Sequence, residues 1–210
     1  MKIYVIRHGE TAWNKEHKLQ GRMDIPLNEF GVALAEKTRI GLDDVTFDIA
    51  FTSPLKRAKE TAEILLRGKA TPLIEDDRLI EISFGDYEGK IYTKDYSEIP
   101  DKDFGYFFTR PECYKTPPNG ESFEEVLARE TEFWNALISN QQWKDYTVLI
   151  STHGAALSGL LSVVKKNPIE KFWDCGLHKN CGLSIIEVVD GKSYFLEEAI
   201  VLYDDETVAW

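Results

Sequence analysis

The stretch Lys2-Ile3-Tyr4-Val5-Ile6-Arg7-His8-Gly9 decides how the rest of the chain is read. Ile3 to Ile6 is an unbroken run of β-branched, aromatic and aliphatic side chains that stops at two charged or polar residues and a glycine. A run this short and this apolar reads as a buried strand ending in a tight loop. A strand apolar on both faces belongs to a parallel sheet with covering layers. Arg7 and His8 then sit at its carboxyl end.

Working outward, helical and strand-like stretches alternate. A helix is predicted from about Asn28, a good N-cap, to about Leu42. A strand follows over Asp48 to Thr52, and Ser53-Pro54 supplies an N-cap and a first-turn proline for a helix running to about Leu66. Thr71 to Glu75 is a weaker strand. Ser122 to Asn140 is a helix opened by the capping box Ser122/Glu125, with Phe123, Val126, Phe133, Trp134 and Leu137 near one stripe. Thr147–Ser151 is a strand, Ala155–Val164 a helix, and Leu183–Val188 pairs with Ser193–Ile200 across the Asp190-Gly191 turn. Alternation of this kind implies an α/β fold: a mainly parallel sheet, helices on both faces, one antiparallel edge.

Residues 1–210 are expected to form one domain, the usual scale for a single core with an insertion. That insertion is a lid over about residues 84–119, where periodicity gives way to Gly, Pro, charges and aromatics such as Phe84, Tyr87, Tyr92, Phe104 and Phe108. Its tyrosines Tyr92, Tyr96 and Tyr106 are candidates for contact with a substrate's body; packing of the lid onto the sheet is the alternative.

Lys and Arg number 25 against 36 Asp and Glu, a net charge of -11. That balance excludes nucleic acid and anionic membrane surfaces as expected partners, though not a small anion held by local donors. Cys113, Cys175 and Cys181 show no metal-ligand spacing and read as reduced thiols, and no apolar run suggests a leader or a span, so the expected location is the cytoplasm. Nothing in the sequence indicates an oligomeric state.

In open α/β sheets ligands gather outside the carboxyl ends of the strands. Here one strand ends in Arg7-His8-Gly9, another in Thr152-His153-Gly154, and a third leads into Pro54-Leu55-Lys56-Arg57. Two histidines and an arginine thus converge. Lys56 and Lys59 have Glu60 and Glu63 at i+4, whereas Arg57 has only Thr61. An unpaired arginine at a helix N-terminus suits the gripping of a phosphate; a solvated surface arginine is the alternative. His17 and His178 lack such context and read as surface or packing residues.

These pieces together are similar to the histidine phosphatase superfamily, whose best-known branch is the cofactor-dependent phosphoglycerate mutases. The resemblance rests on Arg7-His8-Gly9-Glu10-Thr11 with Asn14, Gln20-Gly21-Arg22 through Pro26-Leu27-Asn28 and Gly31, Ser53-Pro54-Leu55-Lys56-Arg57-Ala58, Glu81 ahead of Phe84-Gly85-Asp86-Tyr87-Glu88-Gly89, Asn119-Gly120-Glu121-Ser122 and Thr152-His153-Gly154. It implies His8 as a nucleophile attacking phosphorus. Arg7, Arg57 and a donor from His153 would bind the phosphoryl oxygens, and Glu81 would move the proton. Thr11, Asn14, Gln20, Gly21 and Gly154 match positions lining the family's phosphate and substrate pocket, although Thr11, Asn14, Gln20 and Gly21 also suit turns.

The expectation is a phosphomonoesterase with no metal and no cofactor, acting on a small phosphorylated substrate. A metal site is rejected because two arginines aimed at one point repel a cation. The lid stretch Arg110 to Pro118 lacks the arginine pair with which phosphoglycerate mutases hold a second acidic group, which favours hydrolysis over transfer. A mutase and a catalytically silent phosphate-binding module are the alternatives.

Overall fold

The computed structural model describes residues 1–203 of the chain. β1 (Lys2–Arg7) leads through the one-turn α1 (Ala12–Lys15) to α2 (Glu29–Gly41), where the Asn28 side chain accepts from the Gly31 amide as the N-cap. β2 (Ile49–Thr52), α3 (Lys56–Leu65) and β3 (Leu73–Glu75) follow. After a region of turns and single-turn 3-10 helices that also holds the short α4 (Tyr106–Thr109) come α5 (Phe123–Ser139), β4 (Thr147–Thr152), α6 (Gly154–Lys165) and the hairpin β5 (Leu183–Val189) and β6 (Lys192–Ile200).

The six strands lie in the order β3-β2-β4-β1-β5-β6. β1, β2, β3 and β4 run parallel to their neighbours among themselves, and β5 and β6 add the antiparallel edge. Alternation along β1 explains its unbroken apolar run. Ile3 and Val5 pack with Val148 and Ile150 against Phe133 of α5 and Leu157 and Leu160 of α6. Tyr4 and Ile6 pack with Leu149 against Leu34 of α2 and Leu65 of α3. Helices therefore cover both faces, and each side chain of the run is removed from water, at roughly 1.5–3 kcal/mol for a large aliphatic group.

The connection from β1 crosses to β2 and leaves a place beside β1 that β4 later fills. The register ends at Arg7 opposite Thr152. His8 and His153, the next residues of the two strands, are thereby brought side by side.

One boundary differs from expectation. α3 begins at Lys56, two residues past Pro54, and Ser53 is not its cap. The Ser53 hydroxyl is engaged by the Leu55 amide at 3.3 Å and by His153 at 2.7 Å, while the Lys56 amide is met by Asp24 Oδ1 at 2.7 Å. Lys56 and Lys59 likewise pair with Asp24 and Glu75 rather than with the i+4 glutamates. Glu60 is occupied as an acceptor for the Leu27 amide.

The stretch over residues 84–119, expected to be a lid, packs onto α5 through its rings. Phe107 meets Phe84, Tyr114 and Phe123 with centroids 5.0–5.1 Å apart, and Phe123 in turn meets Phe172 at 4.2 Å. The capping box of Ser122 and Glu125 forms as expected and starts α5 beneath this cluster.

Candidate active site

His8 is held from both ends of its peptide. Its amide donates to the Thr152 carbonyl at 2.9 Å, and its carbonyl accepts from the Asn180 side chain at 3.0 Å. The ring Nδ1 lies 2.6 Å from the Gly9 carbonyl oxygen. A carbonyl only accepts, so Nδ1 carries the proton and Nε2 keeps its lone pair. Burial, then the charges of Arg57 and Arg7, push the imidazole pKa well below its usual value. His8 is neutral at physiological pH.

Arg57 is fully buried, which rules out the solvated alternative. Its Nη1 and Nη2 donate to the carbonyls of Met23 and Gly21, both at 2.7 Å, and its Nε donates to Nδ1 of His153 at 3.1 Å. Burial lowers its pKa to about 10, still protonated at neutral pH. Arg7 donates through Nη1 to the His178 carbonyl at 2.5 Å, but its buried Nε has no hydrogen-bond partner. An unmet buried donor costs about 1–3 kcal/mol, so a guanidinium kept in that state is poised for an anion.

His153 accepts Arg57 Nε at Nδ1, so its proton is on Nε2, which donates to Ser53 Oγ at 2.7 Å. Both nitrogens are engaged. In this arrangement His153 aims Arg57, and donation to a phosphoryl oxygen requires it to exchange one partner. Its pKa is held well below the usual value by burial and then by Arg57.

Glu81 caps α6. Its Oε1 accepts from the amides of Ile82 at 2.8 Å and Ala156 at 2.9 Å, and its Oε2 from Ala155 at 3.2 Å. The two alanine amides are orphan donors of a helix N-terminus. Oε2, with a single bond, retains a lone pair for a proton.

A cavity of about 110 Å³ is lined by Arg7, His8, Gln20, Gly21, Arg57, Glu81 and Gly154, together with Lys18, Leu19, Phe84, Phe107, Phe108, Ala155, Trp173 and Leu177. Gln20 Oε1 is buried without a partner there. Thr11 and Asn14 instead cap α1 with each other's side chains and do not line this cavity. Tyr92, Tyr96 and Tyr106 do not line it either; Tyr92 stacks on Phe108 with centroids 5.8 Å apart. Ser53, the Ala155 and Ala156 amides, and the His178 carbonyl support the site unforeseen. Ser53 could have been noticed through its place before Pro54, whereas backbone groups leave no mark in a sequence.

Known proteins share the family and the fold. The family described as "Histidine phosphatase superfamily (branch 1)" matches residues 3–199. The "Uncharacterized phosphatase PhoE" of Bacillus subtilis (strain 168) is 37% identical over 163 residues, 77% of this chain and 76% of that protein. A protein of Cytophaga hutchinsonii named "2,3-bisphosphoglycerate-dependent phosphoglycerate mutase" is 33% identical over 169 residues, 78% of this chain and 77% of the relative. The solved structure of "Bacillus stearothermophilus YhfR" superposes with a TM-score of 0.85 at 36% identity, covering 95% of this chain and 97% of that one. With a family match along nearly its whole length, the chain belongs to the histidine phosphatase superfamily.

Proposed function

We propose that this enzyme, a phosphoric monoester hydrolase by its family, works in two steps through a phosphohistidine on His8, on small phosphorylated substrates and without a metal ion. The observation that carries the reading is the neutral His8 ring, its Nδ1–H tied to the Gly9 carbonyl and its Nε2 lone pair kept beside two guanidinium groups. In the first step Nε2 attacks phosphorus, the bond to the ester oxygen breaks, and the departing alkoxide takes a proton from Glu81. In the second, water gives a proton to Glu81, attacks phosphorus and frees His8 with release of phosphate. Arg7 and Arg57 balance the charge on the phosphoryl oxygens throughout. Two fixed guanidinium charges supply what a cation otherwise would, and they repel one.

The cavity lining supports hydrolysis over transfer between hydroxyls. Arg110 in the lid pairs with Glu112 at 3.4 Å and does not line the cavity. Lys18, the one cation of the lining besides Arg7 and Arg57, is paired with Glu16 at 2.6 Å. A substrate carrying a second acidic group would therefore meet Phe84, Phe107, Phe108 and Trp173 with little to neutralise it. Among the described residues no helix is long and apolar enough to cross a membrane. The three cysteines are unpaired, in keeping with a cytoplasmic protein.

The test is rapid quench with a radiolabelled aryl phosphate. Label should appear on the protein in acid-labile, base-stable form, be absent from His8→Ala, and turnover should survive EDTA. Turnover by His8→Ala, or its loss on chelation, would refute the mechanism.

A further inference from the structure

Beside the site lies a group of charged side chains, most of them buried, for which the reaction has no direct use. Glu121, only 8% exposed at the end of the lid, accepts Arg22 Nη2 at 3.0 Å and a two-pronged bond from Arg129, Nε at 2.9 Å and Nη2 at 3.1 Å. Both arginines then reach past it to one segment of backbone. Arg129 Nη1 donates to the Arg78 carbonyl at 2.6 Å, and Arg22 Nε donates to the carbonyl of Glu81 itself at 3.3 Å. The Glu121 amide adds a third hold, donating to the Ser83 carbonyl at 2.9 Å.

The segment that carries Glu81 is thus held before, at and after that residue by Glu121 or an arginine gathered by it, with the Thr152 hydroxyl adding a bond to the Leu79 carbonyl at 2.8 Å. Glu130 lies beside Arg129, its Oε1 3.0 Å from Nη1. Glu130 is fully buried, and burial pushes its carboxyl pKa well above the usual value, against the pull of Arg129. Of the two carboxyl groups, Glu121 is the one bonded by both guanidiniums. Burying an ion pair such as Glu121 with Arg129 adds little net stability and commonly some cost, so its worth is sought in what it orients. A proton delivered to a departing oxygen needs its donor placed to within a few tenths of an ångström.

We propose that Glu121 is a positioning residue for proton transfer: by gathering Arg22 and Arg129 it fixes the backbone that aims Glu81, and so sets how well the enzyme expels poor leaving groups. The inference rests on the two-step hydrolase reading, in which Glu81 Oε2 gives its proton to the alkoxide as the phosphorus–oxygen bond breaks.

The experiment compares kcat/KM for 4-nitrophenyl phosphate, whose phenolate leaves without a proton, and for n-propyl phosphate, whose alkoxide does not. That ratio reports only the steps through departure of the alcohol, so the later attack by water does not enter it. Glu121→Gln, folded by circular dichroism, should lose about tenfold or more on the propyl ester and less than about threefold on the nitrophenyl ester, a fraction of what general acid catalysis supplies. Arg22→Met, at a position whose side chain is 42% exposed, should repeat the asymmetry on a smaller scale and decides the matter if Glu121→Gln does not fold. Glu121→Asp should recover part of the loss. An equal fall on both esters, or none, overturns the proposal. If the unaltered protein releases phosphate from neither ester, the hydrolase reading itself fails.

Discussion

Arg57 donates its Nε–H to Nδ1 of His153 at 3.1 Å, and neither group is reached by water. The bond fixes His153 as an acceptor, so a proton at Nδ1 would break it and set two positive charges against each other. Removing the acceptor should therefore loosen Arg57. His153→Ala is expected to raise KM for an aryl phosphate by about tenfold or more, with His153→Gln, which keeps an acceptor, recovering part of it; charge-assisted bonds of this kind are worth about 1.5–3 kcal/mol. Steady-state kinetics on the two variants checks this, and an unchanged KM in His153→Ala contradicts it.

The pH dependence of turnover follows from the same burial. His8 must be neutral to attack, and desolvation with the nearby Arg57 and Arg7 disfavours its protonated form. Acid therefore has to go further than usual before the nucleophile is lost. The acidic limb of kcat/KM is expected to fall well below pH 6.5, the ordinary histidine value. A limb centred at or above that value would show that His8 is not held as the geometry requires.

Gly21 is needed for its backbone. Its φ is +49°, its carbonyl accepts Arg57 Nη2 at 2.7 Å, and a Cβ there would run into the Glu88 carboxylate. Gly21→Ala is expected to cost about 1–3 kcal/mol from the positive φ and the collision together. It should also weaken phosphate binding, because the loop that yields is the one holding Arg57. Denaturant unfolding and competitive inhibition by inorganic phosphate measure the two effects, which should move together.

His178 is a stability matter. It is buried, its Nε2 lies 2.7 Å from Ser184 Oγ, and burial followed by the charge of Arg7 lowers its pKa to about 4. The unfolded chain binds that proton near pH 6.5 and the folded one only near pH 4, so its stabilising effect is full above pH 6.5 and is lost as pH falls toward 4. The difference is worth about 3 kcal/mol. His178→Gln should therefore lose less stability than the parent between pH 7 and pH 4, by about that amount, in urea unfolding at the two pH values.

How far the sequence reveals this site depends on which chemical groups build it. β1 and β4 are legible because an apolar run that halts at a polar pair and a glycine has one plain structural meaning, and both histidines fall at such halts. α5 is legible from Ser122 and Glu125, whose capping box is local. The start of α3 is not, since the hydroxyl oxygen of Ser53, an ideal cap by position, accepts instead from a histidine 100 residues away. Arg57 is visible as a cation without an i+4 partner, but its partners are the carbonyls of Gly21 and Met23, which every residue has. The lid is legible only in part: Tyr92 packs on Phe104 and Phe108, Tyr96 stands exposed and Tyr106 meets Arg110, and it is Phe107 and Phe108 that join Trp173 from a distant loop in lining the cavity.

That last arrangement yields a prediction about selectivity. Phe108 is 41% exposed, lines the cavity and lies with its ring centroid 5.9 Å from that of Trp173. An exposed ring at a cavity is tolerated because it recovers the burial energy when a ligand covers it, at about 25 cal/mol per Å² of apolar surface. Phe108→Ala removes that surface without opening the core, since Phe107 and Phe123 remain packed beneath. Global stability should change by less than about 1 kcal/mol, as for an exposed position. The loss should appear in substrate choice: kcat/KM for 1-naphthyl phosphate is expected to fall about tenfold relative to that for ethyl phosphate, the scale on which hydrophobic pockets discriminate. Measuring both esters with parent and variant decides it. An unchanged ratio would mean that the aromatic wall serves only to pack the lid, and that the alcohol leaves past some other surface.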